Sequence, residues 1–222
     1  MSKKQFIVIG LGRFGSNLTK TLIENNHEVL AVDKDMRLVE EVANFATHAV
    51  QADCTDEDAL AELGVSNFHH AIVAIGDDMQ ASTLTTLLLK EMGVPKVTAK
   101  ANNAIHGKML EKIGADEVIY PERDMAIRLG RKLSSENLID YIELSPGYDL
   151  VEMKVPEAMN NKTLQELNIR AKYGCNIIAI KNDEHINMSP KADDVIRTGE
   201  ILLLIGKYED IRRMEEKYER KK

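Results

Sequence analysis

The chain has 222 residues and a formal net charge of −7 at pH 7. This length fits one large domain or two smaller ones, and the acidic charge argues against a nucleic-acid-binding protein, which usually carries a basic surface. Hydrophobic residues make up 44% of the sequence, which is typical of a globular protein with a buried core.

Neither a membrane span nor a signal peptide is predicted. The longest stretch without a charged residue is residues 63–76, which is shorter than the about 20 apolar residues that a spanning helix needs. Near the N-terminus the apolar run covers only residues 6–9. The two cysteines, Cys54 and Cys175, lie far apart and do not indicate a disulfide framework. We expect a cytoplasmic protein.

The first part of the chain alternates short apolar runs with longer segments of helical spacing. Strands are predicted at residues 5–9, 28–32, 48–51, 70–75, 96–100 and 117–120. Between them lie helical stripes such as Leu18, Leu22 and Ile23. This order predicts an α/β fold with a doubly wound, Rossmann-like parallel sheet that has helices on both faces.

The pattern changes near residues 134–137, after a predicted helix at residues 122–132. Later strands are predicted at residues 139–144, 150–155, 175–180, 186–188 and 201–205, with a helix from residue 208 to 222. We therefore predict a nucleotide-binding domain over residues 1–138 and a smaller α+β domain over residues 139–222.

A glycine motif marks a candidate nucleotide site. Gly10, Gly12 and Gly15 follow the first predicted strand and precede a helix, and Asp33 ends the next strand. In this arrangement the first glycine allows a tight turn, the second lets the backbone approach a phosphate, and the third lets the helix pack closely on the sheet. The helix N-terminus attracts phosphate, while Asp33 would bind a ribose diol and repel a 2′-phosphate.

Three charged residues near the same sheet edge allow two interpretations each. Arg13 is either a solvated arginine at a helix start or a phosphate clamp for its own or a neighbouring subunit. Asp53 either accepts a hydrogen bond from an adenine amino group or belongs to the cap of the next helix. Glu122 is either a favourable acid in a first helical turn or a carboxylate that completes a cation site with nucleotide phosphates.

Other candidate contacts lie at or just after the ends of the same predicted strands or within the glycine motif. They are Phe14, Lys34, Cys54, Ala74, Ile75, Gly76 and Lys100. We expect the Cys54 side chain itself to be a buried core residue rather than a reactive thiol.

Asp33 also permits NAD(H), so an oxidoreductase or a redox-sensing regulator is the alternative function. After residue 138 the sequence offers no evident His–carboxylate pair or lysine to act beside a nicotinamide, and we expect no enzymatic activity. A nucleotide-sensing transcription regulator is disfavoured by the acidic charge.

Seven segments together resemble the RCK family, and within it the cytosolic regulatory subunits of bacterial Ktr potassium-uptake systems. They are GLGRFG (10–15), HEVLAVD (27–33), VAIG (73–76), ASTLTTLLLK (81–90), KIGAD (112–116), PERDM (121–125) and RAKYG (170–174). The resemblance implies an RCK_N domain with a crossover helix that links dimer partners, followed by an RCK_C domain. It also implies homodimers in an octameric ring, docked at the inner face of the cell membrane on a potassium-transporter subunit of the KtrB or KtrD type.

The resemblance also implies the ligands. ATP would favour the conducting state and ADP the inactive one, with Asp33 at the ribose and Asp53 at the adenine. Arg13 would reach the terminal phosphate across a subunit interface, and Glu122 would help to bind Mg²⁺, Ca²⁺ or Na⁺ there. Cyclic di-AMP would inhibit through the C-terminal domain.

The positions that match the family's cyclic di-AMP contacts are Ile169, Arg170, Asn176, Ile177 and Pro190. Of these, Asn176 departs from the Thr, Ile or other apolar residue that is common in the family.

Overall fold

The computed structural model describes residues 3–182 and 185–219. The chain divides by its contacts into two compact units, Met1–Glu122 and Arg123–Lys222. The sequence places a boundary near residue 138 instead, which would assign the helix Pro121–Leu133 to the first domain. That domain boundary stays a prediction.

The first unit contains a six-stranded parallel sheet, and the predicted doubly wound fold is confirmed. Its strands are β1 (Gln5–Ile9), β2 (Glu28–Asp33), β3 (His48–Gln51), β4 (His70–Val73), β5 (Val97–Lys100) and β6 (Glu117–Ile119). They lie in the order β3-β2-β1-β4-β5-β6. Strand β4 ends two residues earlier than predicted, because Ala74 to Gly76 leave the sheet as a loop.

Helices cover both faces of this sheet. They are α1 (Arg13–Glu24), α2 (Met36–Ala43), α3 (Glu57–Glu62), α4 (Met79–Glu91) and α5 (Ala104–Lys112). Helix α6 (Pro121–Leu133), which comes next in the chain after β6, is not one of them. Along β1, Ile7 and Ile9 belong to one buried cluster and Val8 to another. Successive strand residues point to opposite faces, so a strand covered on both sides needs an unbroken apolar run.

The second unit is the smaller α+β domain that the sequence predicts. Its strands are β7 (Leu138–Ser145), β8 (Tyr148–Lys154), β9 (Lys162–Thr163), β10 (Asn176–Lys181), β11 (Ile186–Asn187), β12 (Val195–Ile196) and β13 (Ile201–Lys207). Five form an antiparallel sheet in the order β11-β10-β13-β8-β7, and β12 pairs with β9. Its helices are α7 (Leu164–Leu167), α8 (Ile169–Tyr173) and α9 (Tyr208–Glu219).

The short elements β9, β12, α7 and α8 were not predicted, because two to five residues show no hydrophobic periodicity. The predicted helix at residues 208–222 is observed as α9, and its last three residues lie outside the described residues. Among the described residues, no helix combines the length and apolarity needed to cross a bilayer.

Within the second unit, Arg131 anchors the end of α6. Its guanidinium group lies 4.5 Å from the ring centre of Tyr141 and 4.3 Å from that of Tyr208. Its Nη1 atom donates to Asp149 Oδ2 at 3.2 Å. Burial raises the pKa of the Asp149 carboxyl, and Arg131 opposes that rise by stabilising the charged form. A buried carboxylate thus fixes the position of Arg131.

Candidate nucleotide-binding site

The candidate site lies at the carboxyl ends of the strands in the first unit. Strands β1 and β4 are neighbours, with β2 on one side of the pair and β5 on the other. The direction of winding reverses between β1 and β4, and ligands of open parallel sheets bind in the crevice at such a point. Gly10 follows β1 and Ala74 follows β4, so both border this crevice.

The three motif glycines have different surroundings. Gly10 has φ +95°, and an added Cβ atom would lie 2.9 Å from the carbonyl carbon of Ala74 and from the Ile75 nitrogen. A Cβ atom at Gly15 would lie 1.8 Å from the Gly10 oxygen. At Gly12, in contrast, it would meet nothing within 4 Å. Gly10 and Gly15 therefore allow close packing, whereas Gly12 faces open space that a ligand can enter.

Helix α1 begins at this open space without a side-chain cap. Helices α2 to α5 each have an Asp or Asn side chain that accepts hydrogen bonds from their first turn. The N-cap residue of α1 is Gly12, which makes no side-chain cap bond, and the first turn of α1 contains no acidic residue. The N–H groups and the positive end of the α1 dipole thus face the crevice, which suits a phosphate.

Asp33 connects two loops of the site. Its Oδ2 atom accepts from the Leu11 N–H at 2.6 Å, and its Oδ1 atom accepts from the Asp35 N–H at 2.9 Å. The carboxylate thereby fixes the glycine motif against the β2–α2 loop. Each oxygen keeps a further lone pair that can accept from a ribose hydroxyl. Lys34, in the same loop, is exposed, and its carbonyl accepts from Gln51 Nε2 at 3.0 Å.

Asp53 shapes the turn after β3. Its Oδ1 atom accepts from the Thr55 hydroxyl at 2.7 Å and from the Thr55 N–H at 3.0 Å. The hydrogen bond from the hydroxyl lowers the pKa of Asp53. The N-cap residue of α3 is Asp56, so Asp53 is not itself the cap. Its carboxylate is exposed and charged at this edge.

The Cys54 side chain is 5% exposed and packs in the core below the site. Burial raises the pKa of its thiol to about 12, so the nucleophilic thiolate is scarce near neutral pH. Its carbonyl oxygen accepts from the Thr85 hydroxyl at 3.0 Å. Cys54 therefore supports the turn below the crevice through packing and its backbone.

Lys100, the last residue of β5, forms an ion pair with Glu122 in the first turn of α6. Lys100 Nζ lies 2.6 Å from Glu122 Oε1. The hydrogen bond from Lys100 lowers the pKa of Glu122, and Arg13 adds a smaller effect in the same direction. The exposed side chain of Glu122 is a carboxylate, which hard cations prefer, so it fits a cation that also binds nucleotide phosphates.

Arg13 and Phe14 occupy the first turn of α1. The Arg13 side chain is exposed, and the ion pairs among the described residues do not include it. Phe14 is half-buried. The Arg13 guanidinium group is therefore available for a phosphate.

Two residues that support the site are not indicated by the sequence. Asn102 Nδ2 donates to the Gly76 carbonyl and so ties the β5–α5 loop to the β4–α4 loop. Leu11 contributes through its backbone N–H alone, to Asp33. Asn102 is a polar residue shortly after a predicted strand, which is the only feature of the sequence that suggests a role at this edge. Nothing in the sequence suggests the role of the Leu11 backbone.

The second unit holds the candidate cyclic di-AMP residues. Arg170 and Asn176 are exposed and Ile177 is half-buried, whereas Ile169 is 4% exposed and belongs to the core. Pro190 lies in the loop between β11 and β12. This loop and the start of α7 are joined by two backbone hydrogen bonds, from Leu164 to Asp194 at 3.1 Å and from Gln165 to Ala192 at 2.8 Å.

Family models describe both units. The TrkA-N domain matches residues 6–121 and the TrkA-C domain matches residues 150–218. The chain is 49% identical over 215 residues to the Ktr system potassium uptake protein A of Bacillus subtilis (strain 168), and this match covers 97% of each chain. It is 51% identical to the Ktr system potassium uptake protein C of the same organism, over the same length and coverage. The chain belongs to the Ktr potassium uptake protein family.

Solved structures share the fold of this Ktr family member. The GsuK RCK domain matches with a TM-score of 0.67 at 20% identity, over 98% of this chain and 48% of that one. The GsuK channel bound to NAD matches with a TM-score of 0.64 at 21% identity, over 94% of this chain and 38% of that one. This chain therefore spans about half of the GsuK RCK-domain chain and less than half of the GsuK channel chain.

Gly10 and Gly12 give a matched test of the motif. We expect Gly10→Ala to lower the free energy of unfolding by about 2 kcal/mol or more, because the methyl group meets backbone atoms at a positive φ. Gly12→Ala enters open space, so we expect a loss below about 1 kcal/mol. Urea denaturation of both variants measures the difference. Equal losses would contradict the assigned geometry.

Proposed function

We propose that this chain is a nucleotide-binding subunit that gates a membrane potassium transporter, with ATP activating and ADP inactivating. The observation that carries the proposal is the uncapped N-terminus of α1, which opens at Gly12 beside charged residues suited to a nucleotide. In this proposal Asp33 binds the ribose and Arg13 a phosphate, which is supported by the hydrogen bond that holds Asp33 beside the glycine motif and by the exposure of Arg13. Membership in the Ktr family supports the link to potassium uptake.

Discrimination between the two nucleotides depends on one phosphate. Only a group that contacts the terminal phosphate can bind ATP and ADP with different free energies, and a ligand shifts an equilibrium only through such a difference. We assign this contact to Arg13 of a neighbouring subunit. A cation on Glu122, which can be Mg²⁺, Ca²⁺ or Na⁺, neutralises the added charge.

The proposed function also includes assembly of the chain into homodimers and a ring. Helix α6 has no buried residue, and its apolar side chains are exposed; they are Met125, Ile127, Leu129 and Leu133. The four-residue spacing of Met125, Leu129 and Leu133 puts these three on one face, and exposed apolar patches mark interaction surfaces, which supports α6 as the crossover helix of a homodimer. Helices α4 and α5 also expose Met79, Leu84, Ile105 and Met109, which supports assembly of dimers into an octameric ring. The ring would dock in the cytoplasm on a membrane subunit of the KtrB or KtrD type.

The alternative function is redox sensing through NAD(H). The GsuK channel bound to NAD shares the fold, and Asp33 accepts a ribose diol of either nucleotide. The raised pKa of the buried Cys54 thiol disfavours a redox reaction at that residue. The gating proposal assigns the chain no reaction of its own.

Cyclic di-AMP is proposed as the inhibitory ligand of the second unit. Arg170 is an exposed arginine on α8, and a guanidinium group binds phosphate oxygens through paired hydrogen bonds. Asn176 and Ile177 begin β10, the next element, and would border the ligand. The core position of Ile169 leaves only its backbone for such a contact.

Removing the Arg13 side chain tests nucleotide discrimination. We expect Arg13→Ala to weaken ATP binding about 10-fold, because a charge-assisted hydrogen bond to the terminal phosphate is lost, while ADP binding changes little. Calorimetry with ATP, ADP and NADH on the wild-type protein and the variant measures this ratio.

Arg37→Ala is the matched control, because Arg37 is an exposed arginine that pairs with Asp35 at the start of α2. It should leave the ATP preference intact. An unchanged ATP/ADP ratio in Arg13→Ala would remove Arg13 from the proposal. Tight binding of NADH without binding of ATP would favour the redox alternative.

A second variant tests the regulatory ligand. We expect Arg170→Ala to weaken cyclic di-AMP binding at least about 10-fold and to leave ATP binding unchanged. Lys172→Ala removes a positive charge from the same helix and serves as the control. Full cyclic di-AMP affinity in Arg170→Ala, measured by calorimetry, would contradict the assignment.

A further inference from the structure

One ion pair of the first unit joins a buried cation to an exposed anion. The Lys100 side chain is 11% exposed, whereas that of its partner Glu122 is 65% exposed. An ammonium group removed from water requires a negative partner, while an exposed carboxylate is solvated without one. The buried Lys100 ammonium group therefore needs its ionic partner more than the solvated Glu122 carboxylate does.

Lys100 also borders the loop that faces the glycine motif. A Cβ atom at Gly76 would lie 3.4 Å from Lys100 Nζ, so the ammonium group is beside the β4–α4 loop. Ala74, two residues earlier, is in close contact with Gly10. The ammonium group thus lies between the motif that suits phosphates and the carboxylate of Glu122. The flexible lysine side chain can exchange one anionic partner for another by moving its end.

We propose that Lys100 is an internal counter-ion that occupies the Glu122 carboxylate until nucleotide phosphates draw its ammonium group away. The inference rests on the proposed function and adds an order of binding to it. Lys100 and a cation compete for one carboxylate, so the cation binds weakly before the nucleotide and more tightly after it. By thermodynamic linkage, the cation then strengthens nucleotide binding by the same factor.

Cation binding to the nucleotide-free protein tests the competition directly. Mn²⁺ serves as the probe, and electron paramagnetic resonance measures the free ion. We expect Lys100→Met, which keeps most of the apolar stem and removes the charge, to bind Mn²⁺ about 10-fold more tightly than the wild-type protein. Lys100→Arg keeps the charge and should stay within about threefold of the wild-type affinity.

A double-mutant cycle gives a second test, on ATP affinity in EDTA. Glu122→Gln releases Lys100, so we expect it to tighten ATP binding about fivefold in the wild-type background. In the Lys100→Met background the same change should have an effect below about twofold. Lys100→Gln replaces Lys100→Met in both tests if the latter folds poorly by circular dichroism.

The outcomes separate the inference from the proposed function. Equal Mn²⁺ affinity in wild-type protein and Lys100→Met would overturn the counter-ion role. It would also be overturned if Glu122→Gln changed ATP affinity by the same factor in the wild-type and Lys100→Met backgrounds. If the wild-type protein still prefers ATP to ADP, the proposed function survives that failure. If the wild-type protein binds neither nucleotide, the proposed function and the inference fail together. A gain in Mn²⁺ affinity that disappears in the Lys100→Met/Glu122→Gln protein would support the inference.

Discussion

The close backbone contact between two loops at the centre of the parallel sheet is the constraint on which the site depends. At Gly10 and Gly15 a single added carbon atom would collide with neighbouring backbone. Because both positions lack a side chain, α1 begins directly over the crevice between β1 and β4. Asp33 then fixes the motif from the other side through the Leu11 N–H. The result is a rigid frame around open space at Gly12.

Charge around this frame is arranged asymmetrically. The N-terminal end of α1 provides positive potential on one side of the crevice, which suits phosphates. On the other side, Lys100 and Glu122 neutralise each other. In the proposed exchange, a nucleotide that reaches this pair adds negative charge, and the Lys100 ammonium group moves from the Glu122 carboxylate to the phosphates. The site can thus convert the presence of phosphate into a local rearrangement of ion pairs, which is the kind of event that a regulatory subunit requires.

The sequence predicts the six-stranded fold well, because each buried strand is a short run of apolar residues that turns or helices interrupt. Residues 71–73 of β4, for example, are all nearly inaccessible. The glycine motif is equally visible, since glycine is the only residue that satisfies both contacts at Gly10 and Gly15. The pairing of Lys100 with Glu122 was not predicted, because it joins residues 22 positions apart through the neighbouring strands β5 and β6. The elements α7 and α8 are too short to show a periodic pattern. The roles of the individual site residues stay predictions.

In the proposed function, the number of phosphates on the bound nucleotide controls potassium transport. Potassium flux into vesicles that contain the membrane subunit together with this chain tests it most directly, with the membrane subunit alone as the control. We expect potassium flux at least about fivefold greater in ATP than in ADP, which is a typical size for coupling between two sites. Equal flux in the two nucleotides, with both shown to be bound, would contradict it.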